Sequence, residues 1–344
     1  MPNSTNTTVR KDTRTQEMNK FMVIVNRLGI YVVVALLLIA GQCIRPDKFF
    51  TFSNINSVLQ AVSLTGICAV GLAFIVYSAN FNDMSLPMTI AFSGMVSVQL
   101  LQYNFVLSIL GGIAAGLLMG AVNGFVIGKL RAHPIIWSMA FNFVMSGIVR
   151  WAWAGNQIYP DTITENAATA EQFYALARTY LGQSIGLQIP LMVVVMLVMF
   201  VIGHVILTYT SFGNQLKIIG SNYDVGRLSG INCARVVFIA YMINAFCASI
   251  CGIFLASLSK VGAYYNGEGY DFECVTAVLL GGMTLAGGKG NMVGVFGGVL
   301  TVGLLTNVMN LLGIPTFNQY LVQGVVFLFI VWINTNSARK LGKS

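Results

Sequence analysis

The sequence predicts an all-α polytopic membrane protein with about ten transmembrane helices, and two observations lead to this fold class. First, 56% of the 344 residues are hydrophobic and only 9% are charged, whereas a soluble domain is roughly one-quarter charged. Second, the apolar residues form repeated runs of about 20 residues between short polar breaks, which is the length that a bilayer core of about 30 Å requires.

The first apolar run is predicted to stay in the protein as a membrane anchor. The 27 residues before it are long and mixed in charge, and no small-residue cleavage site of the kind that ends a signal peptide follows it. Each later run is a further predicted span. In chain order the spans are residues 28–44, 57–79, 84–102, 105–128, 134–154, 186–208, 236–257, 272–286, 292–312 and 317–334.

The positions of lysine and arginine predict the orientation, because cytoplasmic loops retain positive charge. With the N-terminus inside and ten crossings, most of the 19 Lys and Arg residues fall in cytoplasmic segments. We predict cytoplasmic tails at 1–27 and 335–344 around a transmembrane domain at 28–334, in which 209–235 is a cytoplasmic loop and 155–185 a periplasmic loop. The exceptions, outside or at the outer interface, are Arg45, Lys48, Arg150, Arg178 and Lys260.

Neither the net charge of +8 nor the cysteines predict a nucleic acid partner or a metal. The charge follows from the cytoplasmic segments, and no clustered basic and aromatic surface accompanies it. Most of the six cysteines lie within apolar runs, and the two histidines, His133 and His204, are on separate segments. A zinc site therefore has few available ligands.

Glycine spacing predicts close packing of two helices. Residues four apart on a helix of 3.6 residues per turn form a slowly drifting smooth ridge, along which a second backbone can approach. The same spacing occurs in the fourth and ninth spans. The residues are Gly112, Gly116, Gly120, Gly124 and Gly128 in the fourth, and Gly290, Gly294 and Gly298 with the ninth.

The matching glycines suggest that the chain consists of two five-helix halves. Because each half would have an odd number of helices, the two halves would be inverted relative to each other in the membrane. The third span begins at Asn82-Asp83 and contains Pro87, and the eighth begins at Tyr270-Asp271 and contains Gly281-Gly282. Interrupted segments at corresponding places in two halves are a pointer to a central binding site.

Acidic side chains beside or within apolar spans are energetically costly in lipid, so each one is a candidate functional residue. Asp83, Asp271 and Glu273 are in such places. One interpretation is helix capping, in which a carboxylate satisfies free backbone N–H groups. The other is a polar path for a hydroxylated solute, formed with Asn80, Asn82, Ser85, Asn307 and Asn310.

Two polar, glycine-rich stretches, 212–235 and 269–290, stand out between the apolar runs. The segment 220–231, GSNYDVGRLSGI, resembles the cytoplasmic loop of permease subunits of bacterial sugar ATP-binding-cassette (ABC) importers of the ribose type. The resemblance extends over residues 45–335. It includes Phe49-Phe50-Thr51, Asn54, Gly269-Tyr270-Asp271, residues 277–282 (AVLLGG), residues 285–290 (LAGGKG) and Asn310-Leu311-Leu312-Gly313.

The resemblance implies a permease of about ten helices in the bacterial inner membrane, paired with a second permease of the same or a homologous chain. Two cytoplasmic ATPase domains, which would bind ATP and Mg, and a periplasmic sugar-binding protein would complete the importer. It also implies that the loop at 214–231 carries the short helix that contacts the ATPase. The residues expected in this contact are Gly220, Asn222, Asp224, Gly226, Arg227, Leu228 and Gly230.

One departure from the family pattern limits the prediction of the substrate. Where the family usually reads Gly-Ile-Asp-Leu-Ser-Val-Gly, this chain has FNDMSLP at residues 81–87. Asp83 and Ser85 are kept, whereas Phe81 and Pro87 replace glycines. A proline in the first turn of a helix is tolerated, but the path beside it changes. We expect a monosaccharide such as a pentose or hexose and do not predict which one.

The energy source separates the remaining classes of function. Gly287-Gly288-Lys289-Gly290 lacks the glycine spacing and the hydroxyl of a phosphate-binding loop, so ATP would be hydrolysed by another chain. The alternative is an ion-coupled secondary transporter of a small polar solute, in which Asp83 or Asp271 would bind a proton or sodium. No nucleophile, base and orienting group can be assembled for an enzyme.

The periplasmic loop admits two interpretations. It carries three acids against one cation and has no strong apolar run before residue 173. An acidic loop of this kind would pair with basic residues on a solute-binding protein, or it is a solvated connector. The acids are Asp161, Glu165 and Glu171, and the cation is Arg178.

Overall fold

A computed structural model describes residues 30–164, 166–181 and 189–341. The predicted N-terminal tail, Glu165 and residues 182–188 lie outside the described residues, as do the last three residues of the predicted C-terminal tail. The first helix of the described chain is α1 (Ile30–Ile44). It is followed by α2 (Phe52–Tyr77), α3 (Leu86–Leu100), α4 (Phe105–Gly128), α5 (Pro134–Ala152), α6 (Pro160–Ile163), α7 (Ala167–Arg178), β1 (Tyr180–Leu181), β2 (Ile189–Pro190), α8 (Leu191–Tyr209), α9 (Ser211–Ser221), α10 (Tyr223–Leu228), α11 (Cys233–Ser259), α12 (Tyr270–Leu280), α13 (Met292–Leu311) and α14 (Thr316–Leu341).

The fold is an all-α membrane protein with one minor exception, because β1 and β2 form a two-residue antiparallel pair. Among the described residues six helices are long and apolar enough to cross a membrane, namely α2, α4, α5, α8, α11 and α13. Helices α1 and α3 and the segment Phe317–Phe329 of α14 are shorter apolar stretches. The predicted count of ten full spans is therefore not confirmed.

The clearest difference from the sequence prediction is the eighth span, expected at 272–286. Helix α12 has 11 residues, which gives a length of about 16 Å, or half of a bilayer core. It ends at Gly281, and Gly282 follows with φ +85°, a left-handed conformation that glycine adopts without steric cost. Apolar residues continue beyond this turn, so the hydropathy pattern extended the helix too far.

Residues 209–235, predicted as a loop, are mostly helical. Thr210 starts α9 by accepting a hydrogen bond from the backbone N–H of Gly213. Asn222 ends α9 in an extended conformation and starts α10 by accepting from the N–H groups of Asp224 and Val225. Short polar side chains at helix starts satisfy otherwise free donors, so the polar residues here divide helices rather than replace them.

Two long helices, α2 and α11, form the centre of the bundle and pack against each other. Helix α11 also packs on α3 and α4, and α2 packs on α12 and α13. These contacts relate α3 to α12 and α4 to α13, which are the elements that the sequence pairs. The inversion of the two halves stays a prediction.

The glycines of α4 face its neighbours α3 and α11. A Cβ at Gly116 would overlap the side chains of Ser93 and Ser249, and a Cβ at Gly128 would press on the carbonyl of Ala234. In the second half, glycines of α13 face α12, and Gly290 lies before α13 in a turn with φ +125°. The other α4 glycines in contact with α3 or α11 are Gly112, Gly120 and Gly124, and those of α13 are Gly294 and Gly298.

Candidate functional site

The two short helices α3 and α12 begin close together inside the bundle. Gly267, just before α12, lies against the backbone carbonyl of Pro87 in the first turn of α3, where a Cβ would not fit. The Asp83 carboxylate bonds to Asn244, roughly 16 Å along α11 from its first residue. Both helices therefore start within the membrane-spanning part of the protein, with the positive ends of their backbone dipoles close to each other.

Asp83 forms the centre of a hydrogen-bond network at the start of α3. Its Oδ1 accepts from the backbone N–H of Ser85 at 2.9 Å and from the Ser85 hydroxyl at 2.6 Å. Its Oδ2 accepts from Asn244 Nδ2 on α11 at 2.9 Å. Asn82 closes the turn, because its Oδ1 accepts from the backbone N–H of Asp83. The carboxylate thus ties the turn before α3 to α11, although no side chain caps the first turn of α3 itself.

The network continues from Ser85 to α4 and α5. Asn123 Nδ2 donates to the Ser85 hydroxyl at 2.7 Å, and Trp137 Nε1 donates to Asn123 Oδ1 at 2.9 Å. The hydroxyl of Ser138 accepts from the backbone N–H of Met84 at 3.0 Å. One chain of bonds therefore ties the start of α3 to three helices, α4, α5 and α11.

The sequence did not indicate Asn123, Trp137, Ser138, Tyr241 or Asn244 as site residues. Two atoms among them, Tyr241 Oη and Asn244 Oδ1, are buried and have no hydrogen-bond partner in the described chain. An unpaired buried polar group costs about 1–3 kcal/mol. These atoms can accept a bond from a water, a proton carrier or a solute hydroxyl.

The start of α12 is held more loosely. Gly269 occupies the N-cap position with φ +88°, and no side chain caps the helix. The half-buried Glu273 accepts from the hydroxyl of Thr65 on α2 at 2.8 Å, and the Cys274 thiol lies 3.7 Å from the Thr65 carbonyl oxygen. Asp271 is half-buried in the same first turn, where a negative charge is favourable.

Asn307 and Asn310 are not part of this arrangement. Asn307 exchanges two side-chain hydrogen bonds with Asn54 near the start of α2, and Asn310 accepts from Gln319 of α14. Asn54 lies roughly 25 Å along α2 from Gly71, which contacts Asn244. The structure places five of the predicted path residues around the two helix starts, Asn307 and Asn310 at the far end of α13, and Asn80 apart from both sets.

On the other side of the bundle, α10 presents its residues to solvent. Leu228 is 82% exposed and Val225 is 50% exposed, and Asp224 and Arg227 are exposed beside them. Gly226 is the buried residue of this helix. Gly230 follows with φ +76°, which turns the chain towards α11.

Gly220, at the end of α9, contacts the end of α2, which leads into α3, and the turn after α12. A Cβ on Gly220 would meet the carbonyl of Tyr77, the last residue of α2, and the backbone nitrogen of Gly288, in the turn after α12. Gly288 N–H also donates to the Tyr77 carbonyl at 2.9 Å. The α9–α10 pair is therefore joined to the turn that leads into α3 and to the turn that follows α12.

A cavity of about 570 Å³ with both polar and apolar lining residues adjoins this contact. It lies between the 78–80 turn, the 131–134 turn and the junction of α9 with α10. The guanidinium of Arg131 stacks over the ring of Tyr223 at 4.9 Å, which links two of these walls. Asn80, assigned to the path from the sequence, lines this cavity instead of joining the Asp83 network.

Phe81 and Ala79 adopt left-handed backbone conformations, with φ of +62° and +63°. For residues with a Cβ this conformation costs roughly 1–2 kcal/mol. Phe81, at one of the two positions where the resemblance leads us to expect glycine, therefore holds a strained backbone conformation.

A segment formed by residues 155–164 and 166–181 packs on the end of α11. The Ser257 hydroxyl near the end of α11 donates to the Phe173 carbonyl at 2.6 Å and accepts from Ala177 N–H at 3.1 Å. Burial, together with a hydrogen bond to Asp161, raises the pKa of Tyr174 to about 12. This segment is a folded cap on α11, with the acid Glu171 exposed to solvent.

Comparison with known proteins finds a matching family model and several similar permeases. Residues 54–331 match the family model described as branched-chain amino acid transport system / permease component. The ribose import permease of Escherichia coli K12 is 30% identical over 88% of this chain and 92% of its own length. The L-arabinose transport permease of the same organism is 33% identical over 89% of this chain and 89% of its own length. The xylose permease of Haemophilus influenzae is 27% identical over 91% of this chain and 98% of its own length. No solved structure gives a significant match.

Proposed function

Because this chain belongs to the family of permease components of the branched-chain amino acid transport system type, we propose that it is the translocation subunit of an ABC importer for a monosaccharide. It is a multi-pass membrane protein with no ATPase site of its own. ATP and Mg would be bound by a cytoplasmic partner subunit. A periplasmic binding protein would deliver the sugar, and a second permease, identical or homologous, would complete the path.

The relatives support the substrate class. The names of the three similar permeases specify ribose, L-arabinose and xylose, which are all pentoses, and each alignment covers most of both chains. At the same time, Phe81 and Pro87 stand at the start of α3 where the resemblance leads us to expect glycines. The proposal is therefore a monosaccharide, with pentoses to be tested first.

The contact at Gly220 is the single observation that carries the mechanism. An ATPase that engages the exposed end of α10 would move α9, and α9 touches the turn before α3 and the turn after α12. A displacement of α9 at the cytoplasmic surface would be transmitted to both short helices, because the backbone contacts at Gly220 are closely packed. The ATPase would thus change the junction where α3 and α12 begin.

The first experiment is purification of the tagged chain from its native membranes in mild detergent, with bound proteins identified by mass spectrometry. We expect an ATPase with the wild type and its loss from the double variant Asp224→Lys with Arg227→Glu. The matched control inverts the exposed charges of α7, Glu171→Lys with Arg178→Glu, and should keep the ATPase. Failure of the wild type to retain any ATPase while still carrying solute would contradict the proposal.

Uptake measurements test the energy source and the sugar. Cells that lack the endogenous chain should take up labelled ribose, arabinose or xylose only when the wild type is restored, and uptake should require the partner ATPase. Uptake that persists without the ATPase and follows a proton or sodium gradient would instead support the ion-coupled alternative. The Asp83→Asn and Asp271→Asn variants would then be measured first.

We place the protein in the bacterial inner membrane with both termini in the cytoplasm. The support is the distribution of lysine and arginine, which are concentrated in segments on one side. Single cysteines introduced at Leu228 and at Tyr159, both exposed, would be labelled from opposite sides by a membrane-impermeant maleimide. Labelling of position 228 in intact spheroplasts would contradict the orientation.

A further inference from the structure

A lateral cavity of about 310 Å³ lies between α4, α8 and α11, with Val70 of α2 at its floor. It is separate from the α3–α12 junction and from the cavity beside Gly220. Its walls are hydrocarbon and sulfur side chains, such as Leu117, Met199 and Ile243. A water needs two to four polar partners, so this lining favours an apolar occupant.

The cavity opens sideways into the bilayer. The three helices that form its walls are all long and apolar enough to cross a membrane. At its edge Ile202 is 47% exposed and Phe246 is 37% exposed. Hydrocarbon that enters from the side would therefore be lipid, and the cavity is deep enough to reach the central helix α2.

A cation lies on the same face of α11, near the end of the helix that begins beside α10. Arg235, Met242 and Phe246 have spacings of seven and four residues, which put them on one stripe of the helix. Met242 and Phe246 line the cavity, and Arg235 is exposed. Long side chains on a helix point towards its N-terminus, so the guanidinium extends from the cavity towards the membrane surface.

A second cation is located at the same end. Gly128 packs against the carbonyl of Ala234, so Lys129 and Arg235, the next residues of the two helices, flank one helix crossing. Lys129 is exposed, and its ammonium lies 5.3 Å from the centre of the Phe125 ring. An apolar cavity with positive charge at its surface end is complementary to a lipid with an apolar acyl chain and an anionic head group.

We propose that this cavity binds one anionic phospholipid, with an acyl chain between α4, α8 and α11 and the phosphate held by Arg235 with help from Lys129. A guanidinium binds phosphate through two parallel hydrogen bonds and stays charged. The floor residue Val70 is next to Gly71, which contacts Asn244. The lipid would thus brace the α2–α11 contact that holds the Asp83 network, independently of which solute the protein carries.

Native mass spectrometry of the full-length chain in mild detergent tests this, with dioleoyl phosphatidylglycerol or dioleoyl phosphatidylcholine added in equal amounts. We expect one retained phosphatidylglycerol at about tenfold preference, as one charge-assisted bond would give. Arg235→Gln should reduce its retention to that of phosphatidylcholine. Met242→Trp, which fills the cavity, should abolish retention of both lipids.

Two control variants leave the site intact. Lys217→Gln removes an exposed cation of α9, and Val198→Trp adds an indole ring on an exposed part of α8 outside this cavity. Neither should change lipid retention. If Met242→Trp does not fold, Ile202→Trp fills the cavity from the opposite wall. Three results would each overturn the proposal: equal retention of the two lipids, undiminished lipid binding by Arg235→Gln, or a cavity occupied by a second copy of the chain. None of these results would affect ATPase co-purification, which tests the proposed function separately.

Discussion

The starts of α3 and α12 meet in the bundle, yet they are held in different ways. At α3, Asp83 and Ser85 are buried and bonded to α4 and α11 through Asn123 and Asn244. At α12, a glycine starts the helix, and one half-buried carboxylate reaches α2. We infer that α3 is the fixed side of the junction and α12 the side that moves when α9 is displaced. The difference can be tested by breaking each side in turn.

The largest effect is expected from Asp83→Leu. It removes the acceptor of three bonds and leaves Asn244 and the Ser85 N–H buried without a partner, which should cost about 3 kcal/mol or more of folding free energy. The measurement is the midpoint of thermal unfolding in detergent, followed by size-exclusion chromatography. Asp83→Asn is the matched control, because rotation of the Asn244 amide would restore the bond, and it should lose about 1 kcal/mol or less. An equal loss for both variants would mean that the carboxylate charge is required.

The next effect is expected at Gly220. Gly220→Val places a side chain against the Tyr77 carbonyl and the Gly288 backbone, and we expect a loss of about 1–3 kcal/mol from overpacking together with loss of sugar uptake. ATPase binding should persist, since α10 itself is unchanged. Gly155→Ala is a control in open space with positive φ, outside the expected ATPase contact, and it should reduce stability by about 1 kcal/mol with uptake retained. Normal uptake by Gly220→Val would exclude this contact from coupling.

At the start of α12, Glu273→Leu should cost only about 1 kcal/mol of stability, because one half-buried bond to Thr65 is lost. Glu273→Gln keeps an acceptor for the Thr65 hydroxyl and should be close to the wild type. If α12 moves during transport, Glu273→Leu will change the rate of uptake more than the unfolding midpoint. A loss of stability as large as that of Asp83→Leu would show that the two starts are equally fixed.

The smallest effect is expected at Phe81. Phe81→Gly should be more stable than Phe81→Ala by up to about 1 kcal/mol, because glycine adopts a φ of +62° without steric cost. Phe81→Ala, which removes the ring and keeps the Cβ, separates backbone strain from the loss of side-chain packing. The measurement is again the unfolding midpoint. If the unfolding midpoint of Phe81→Gly is lower than that of Phe81→Ala, the extra conformational entropy of glycine in the unfolded chain outweighs the relief of backbone strain.

The sequence predicted the long helices well, because hydropathy identifies α2, α8, α11 and α13 directly. It extended α12 too far, since the apolar residues after Gly282 do not show that the chain has already turned. Asp83 was recognisable as an acid beside a span. Its partner Asn244 was not, because a single asparagine in an apolar helix has no periodic signal and the two residues are 161 positions apart.

The exposed tip of α10 has a consequence for assembly. In the chain alone Leu228 is 82% exposed, and full burial of a leucine side chain against a partner would contribute about 1.5–3 kcal/mol. A permease synthesised in excess over its ATPase would present this apolar tip to chaperones and proteases, whereas an assembled one would hide it. The cellular amount of the protein would then follow the supply of its partner, and Leu228→Ser would weaken that dependence.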